Sequence, residues 1–145
     1  MKIALTSDHA GWKTKEVVKK YLKKMKHSVK DFGTDSEDSV DYPDFAFKVA
    51  KAVKAGKVKY GILICGSGIG MCIAANKIKG IRAANCYDKL TAEFSRRHND
   101  ANVLCLGARM LDINTIKGII KVWLETSFEG GRHQRRVDKM NNMKG

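Results

Sequence analysis

The sequence predicts an α/β protein with a parallel sheet and helices on both of its faces, and three observations predict it. Short apolar runs alternate with amphipathic segments; the runs are close to continuously apolar, as strands buried on both faces must be; and no linker interrupts the alternation. The runs and the segments that follow them are KIALTS then 11–26, HSVKDFG then 43–55, YGILICG then 70–78, GIRAANC then 88–98, and ANVLCLG then 112–126. They make five βα units. A chain of 145 residues fits one domain, long enough to bury a core without disulfide or metal staples.

Each unit has its own local warrant. In KTKEVVKKYLKKMK the apolar Val17, Val18, Tyr21, Leu22 and Met25 recur at helical spacing, and lysines fill the opposite face. The only proline, Pro43, opens the second helix where a missing N–H costs least, with Asp41 before it as the expected capping residue. The third strand runs into Cys65 and a turn with glycine at every second position. The fourth helix begins near Asp88 and closes on His98-Asn99-Asp100, and the fifth strand leads through Gly107 to Arg109. A glycine pair at 130–131 then starts a basic tail, GGRHQRRVDKMNNMKG, the one place where composition changes.

Composition narrows the function. The apolar fraction of 43% and charged fraction of 30% are those of a soluble protein, and no run approaches the length of a membrane span. MKIALTSDHAG is too short an apolar patch for a secretory signal, so the cytoplasm is the expected compartment. Cys65, Cys72, Cys86 and Cys105 form no C-x-x-C pair, which argues against a zinc site and a disulfide framework. Three of them are expected to be inert core thiols. The net charge of +13 raises nucleic-acid binding, but the lysines lie on solvated helix faces without interleaved aromatics to stack on bases.

In open α/β sheets, ligands bind beyond the carboxyl ends of the strands. Ser7-Asp8-His9, Cys65-Gly66-Ser67, His98-Asn99-Asp100 and Arg109 are expected to meet at that rim. The turn GSGIGM is neither a P-loop nor a dinucleotide fingerprint, and Cys65 in place of the first glycine excludes a nucleophile elbow. Two readings remain: a structural tight turn, or amides converging on a negative oxygen at a helix N-terminus. Cys65, just before it, is either a buried core thiol or a base whose thiolate is favoured by oriented N–H groups. His98 is either a favourable charge at a helix C-terminus or a proton-transfer group. Asp8 and His9 are a helix cap and its neighbour, or part of a site. Arg109, Arg132, Arg135 and Arg136 suit bidentate phosphate binding, against the alternative of a solvated basic tail.

Taken in order, SDHAG, DYPDFA, GILICGSGIGMCIAANK, GIRAA, SRRHNDANVLCLGAR and FEGGRHQRRV resemble type B ribose-5-phosphate isomerases, in a family that also contains galactose-6-phosphate isomerase subunits. The resemblance implies a three-layer α/β/α sandwich of Rossmann-like architecture, one isomerase domain over 1–145 with the basic tail from about 130. It also implies a homodimer or tetramer with sites at the subunit interface, a sugar-phosphate substrate, and no metal or organic cofactor. Membrane and nucleic acid are not expected partners.

The implied reaction interconverts D-ribose 5-phosphate and D-ribulose 5-phosphate through an ene-diolate, a step of the non-oxidative pentose phosphate pathway. By resemblance Cys65 is the base, His98 and Asp8 handle ring opening and hydroxyl protons, and Ser67 supplies a hydroxyl where threonine is also common. Gly66, Ser67, Gly68, Ile69 and Gly70 form the anion hole. Asp8, His9, Tyr42 and Asn99 are sugar contacts, and Arg109, Arg132 and Arg136 phosphate ligands; Arg135 matches no family arginine. Some members use a glutamate just after the glycine turn; here Met71 stands there, which leaves Cys65 as base. The histidine of RHND and the GGRH tail, typically missing from galactose-6-phosphate isomerase subunits, favour the five-carbon sugar over allose or galactose 6-phosphate.

Overall fold

The computed structural model describes residues 1–144 and contains the five βα units in the expected order. Strand β1 (Lys2–Ser7) leads to α1 (Trp12–Lys24), β2 (Ser28–Asp31) to α2 (Tyr42–Lys54), and β3 (Tyr60–Cys65) to α3 (Ile69–Asn76). Strand β4 (Ala83–Asn85) leads to α4 (Lys89–Arg97), and β5 (Val103–Gly107) to α5 (Ile113–Glu125). All strands pair in parallel in the order β2-β1-β3-β5-β4.

Side-chain alternation along the strands builds two cores. Ile3, Leu5, Ile62, Ile64, Leu104 and Leu106 face α1, α4 and α5, packing on Val18, Leu22, Ala92, Ile116, Ile120 and Trp123. Ala4, Leu63, Cys65, Val103 and Cys105 face α2 and α3, packing on Val49, Ala50, Val53, Met71 and Ala75. The period of two in a strand therefore assigns Cys65 to the α3 side. Strands β1 and β5 lead to helices on one face while β3, between them, leads to α3 on the other, so the connections diverge on either side of Cys65. That is where an open α/β sheet leaves a crevice.

The elements that depart from expectation do so for local reasons. The edge strands β2 and β4 are shorter than their apolar runs, because each has one neighbour and is only partly buried. Asp41 stands at the N-cap of α2 without a side-chain bond, whereas Asp88 and Asp112 accept from Thr91 and Thr115 N–H at 2.7 and 2.8 Å. The basic tail forms a sixth helix, α6 (Arg132–Asn141). Gly130 and Gly131 turn the chain at φ of +68° and +56°, and His133 and Val137, four apart, bury one face of the new helix.

The end of α4 is pinned by a buried arginine. Arg96 donates to the carbonyl of Ala101 at 2.6 Å, to Asp100 Oδ1 at 2.9 Å and to the Tyr60 hydroxyl at 2.9 Å. Trp123 closes the same corner, donating from Nε1 to Ser95 Oγ at 3.1 Å and meeting the Tyr60 ring edge-on. Among the described residues no helix is long and apolar enough to cross a membrane.

Candidate active site

Cys65 ends β3 buried, with the glycine turn folded over its sulfur. The backbone N–H of Gly68 donates to Cys65 Sγ at 3.2 Å, and the N–H of Ile69 donates to Ser67 Oγ at 3.1 Å. Gly68 sits at φ +81°, and a Cβ there would fall 2.5 Å from Asn85 Oδ1, so glycine is required twice over. The loop after β5 clasps the turn: Ala108 N–H donates to the Cys65 carbonyl at 2.8 Å and Arg109 N–H to that of Gly66 at 3.0 Å. The first turn of α3 then presents amides that have no acceptor within the helix.

Four expected side chains gather around this turn. Asp8 is buried, its N–H donating to the carbonyl of Ile64 at 3.2 Å and its Oδ1 accepting from Gly11 N–H at 3.1 Å. Asp8 does not cap α1 as the cap reading expected: the N-cap is Gly11, and Asp8 instead fixes the turn that leads to it. His9 Nδ1 accepts from Val40 N–H at 3.2 Å, which ties it to the loop before α2. The Tyr42 ring lies against Gly70, where a Cβ would come within 2.5 Å of it, and the Arg109 side chain lies along Gly66. Behind Ser7, the Asp31 carboxylate receives Lys15 Nζ at 2.8 Å and Gly33 N–H at 2.8 Å, and Gly33 in turn accepts from Ser7 N–H at 2.8 Å. Burial pushes the Asp31 carboxyl up, but Lys15, Lys19 and the Gly33 N–H outweigh it and hold the group below its ordinary value.

His98 and Asn99 do not join that rim, and the expected meeting of all four segments is corrected by topology. A helix that follows a parallel strand carries the chain back to the sheet's amino edge, so α4 ends where β5 and β3 begin. Gly61 N–H donates to the Asn102 carbonyl at 3.1 Å, and Arg96 reaches Tyr60. Tyr60 and Cys65 are opposite ends of β3, about 16 Å apart at strand rise. The α6 arginines belong to this second cluster, because His133 of α6 stacks on His98 at 4.4 Å and faces Arg132 and Arg136. A pocket of about 560 Å³ opens beside it, lined among others by Arg82, Asn99, Ala101 and Met140.

The second cluster contains side chains that sequence reasoning missed. Glu129 stands 4.0 Å from His98 Nε2 and 3.9 Å from His133 Nε2, and receives Arg97 at 3.1 Å. The quoted FEGGRH segment contained Glu129 and His133, but a single sequence offers no spacing rule that pairs them with His98. Burial first, then the charges of His98 and Arg132, hold the His133 imidazole below its ordinary value. His98, Glu129 and His133 are the one trio among the described residues with metal-ligand atoms within 4.8 Å of one another. The two rings are nearly parallel, at 15°, so their in-plane lone pairs do not converge on one point, and Arg97 already holds the carboxylate.

The remaining thiols divide. Cys105 and Cys86 are buried, and burial pushes both thiols up, Cys86 to about 11. Cys72 departs from the inert expectation: it is only half-buried, and hydrogen bonding to Cys105 and to the Asn85 backbone holds its thiol below the ordinary value against the opposing effect of burial.

The chain and its fold have close counterparts. The ribose/galactose isomerase family model matches residues 3–140, and the chain belongs to that family. Ribose-5-phosphate isomerase B of Escherichia coli is 47% identical over 137 residues, spanning 94% of this chain and 92% of the relative. The solved Clostridium thermocellum ribose-5-phosphate isomerase B superposes with a TM-score of 0.96 at 50% identity, covering 97% of this chain and 95% of that one. The Mycoplasma genitalium ribose-5-phosphate isomerase B, solved with bound ribulose-5-phosphate, gives 0.92 at 44% identity, covering 97% and 93%.

Proposed function

We propose that this chain is a single aldose–ketose isomerase domain that interconverts D-ribose 5-phosphate and D-ribulose 5-phosphate, at a site assembled from two copies. The carrying observation is the Gly68 N–H bond to Cys65 Sγ at 3.2 Å, because it seats the sulfur against the glycine turn, where a base must stand close to the donors that hold an oxyanion. With the sugar open, the Cys65 sulfur takes the proton from C2; the carbonyl oxygen on C1 becomes an oxyanion held at the Gly66–Gly70 turn by the amides that Cys65 Sγ and Ser67 Oγ leave free; and the proton returns at C1. His98 opens the furanose ring, and Asp8 and Ser67 attend the hydroxyl protons. His9, Tyr42 and Asn99 hold the sugar, and Arg109, Arg132 and Arg136 the phosphate.

Two copies are needed on this reading because the base and the ring-opening imidazole stand at opposite edges of one sheet. Exposed Ile69 and Ile73 on α3 and Leu90 on α4 supply an apolar surface for a symmetric contact that lays one copy's carboxyl edge against the other's amino edge. The reading places the reaction in the non-oxidative pentose phosphate pathway.

The test is the rate of ribulose 5-phosphate formation from ribose 5-phosphate by purified protein in chelator. Wild type is expected to turn over, and Cys65→Ala to lose about 10²- to 10⁴-fold while still binding phosphate. A Cys65→Ala variant that retains activity rejects the cysteine base. A wild type inactive on this sugar rejects the pentose substrate and directs the assay to allose and galactose 6-phosphates.

A further inference from the structure

We propose that Glu129 is a positioning residue for His98, its carboxylate fixing the orientation of an imidazole that is held in a stack of three rings. The proposal takes only His98's task, ring opening, from the isomerase reading. The His98 ring lies 4.9 Å from Phe94 on one side and 4.4 Å from His133 on the other, with planes within 13° and 15°. Rotation about Cβ–Cγ would sweep the ring through both neighbours, so the stack fixes its plane. Stacking does not decide which ring nitrogen carries the proton. A carboxylate at one ring edge does, because it favours N–H on the nitrogen it faces and leaves the other as acceptor.

Glu129 is built into that place. Its Oε2 stands 4.0 Å from His98 Nε2 and its Oε1 3.9 Å from His133 Nε2. Two contacts hold it: its own N–H donates to the Arg97 carbonyl at 3.0 Å, and the Arg97 guanidinium reaches its carboxylate at 3.1 Å. Arg97 is in turn held by Glu93 at 2.9 Å. The other charges facing the pair are Arg132 and Arg136 from α6, so Glu129 stands among three arginines and shares Arg97 with Glu93. Among the described residues His133 Nε2 is buried without a hydrogen-bond partner, the Glu129 carboxylate at 3.9 Å being the acceptor that faces it. Burial, then the neighbouring His98 and Arg132, hold the His133 imidazole below its ordinary value, which disfavours positive charge on the ring stacked against His98.

The test uses the full-length protein with Glu129→Gln, which keeps size and removes charge, and Glu129→Asp, which keeps charge. Turnover of ribose 5-phosphate is compared with exchange of the C1 hydrogen of ribulose 5-phosphate into deuterated water. Exchange needs the thiolate base but no ring to open. Glu129→Gln is expected to lower kcat about 10-fold with KM and exchange within about twofold, and Glu129→Asp to recover most of the loss. Parallel loss of turnover and exchange, or loss of neither, overturns the proposal. The ¹⁵N imidazole signals of His98 give a readout without substrate: one tautomer in wild type and a mixture in Glu129→Gln are expected, and an unchanged tautomer overturns the proposal. If wild type fails on ribose 5-phosphate while the tautomer responds, the isomerase reading is rejected and the positioning role stands.

Discussion

The backbone N–H of Gly68 donates to the sulfur of Cys65 across 3.2 Å, so the thiol and the glycine turn are one structural unit. The left-handed conformation of Gly68 turns that amide towards the strand end, and the loop after β5 holds the turn shut through Ala108 and Arg109. The alternating glycines in GSGIG follow from this closeness: at Gly68 a side chain meets Asn85, and at Gly70 it meets the Tyr42 ring.

Replacing Gly68 tests whether the unit matters for chemistry. A Cβ there is strained by φ +81° and lies 2.5 Å from Asn85 Oδ1. Gly68→Ala is expected to lower kcat by about 10²- to 10³-fold, because shifting the turn displaces both the sulfur it holds and the neighbouring oxyanion amides. Steady-state kinetics with a melting curve alongside checks it; an active Gly68→Ala protein contradicts the cradle.

The ion pair behind β1 predicts an acid limit to stability. Lys15 is fully buried and its ammonium rests on Asp31, whose carboxyl is held below its ordinary value. The stabilisation is therefore fully present above pH 3.8 and is lost as pH falls through the lower folded-state value. Asp31→Asn leaves the Lys15 charge poorly compensated and is expected to cost about 3 kcal/mol at neutral pH. Denaturant unfolding across pH checks both: the difference from wild type shrinks on acidification, and a constant difference counts against the pairing.

The apolar face of α3 predicts an assembly. Ile73 is 57% exposed beside Ile69 at 56%, an unusual use of isoleucine on a helix facing water. Ile73→Asp is expected to yield a folded monomer by sedimentation and to lose activity with it. A variant that sediments as wild type removes this face from the interface.

The sheet, its helix order and the thiol at the strand end were legible in the sequence because each rests on local pattern: continuous apolar runs, a 3.6-residue lysine-flanked period, and a glycine turn after Cys65. The position of His98 was not. Its neighbours in the sequence point to the Cys65 rim, whereas the direction of a parallel crossover returns the end of α4 to the opposite edge, where Arg96 reaches Tyr60. Helix α6 was hidden for a different reason: only His133 and Val137 among its basic residues are buried, too few to stand out as an amphipathic period. Glu129 escaped because its partners, Arg97, His98 and His133, are joined by tertiary packing rather than spacing.

The central claim is that Cys65 of one copy works with His98 of another, and mixing two inactive variants tests it most directly. In a symmetric dimer, a Cys65→Ala subunit paired with a His98→Asn subunit contains one fully native site. Random mixing after dissociation is then expected to restore about a quarter of wild-type specific activity on ribose 5-phosphate. A mixture that forms hybrids yet stays as inactive as its parents contradicts the shared site.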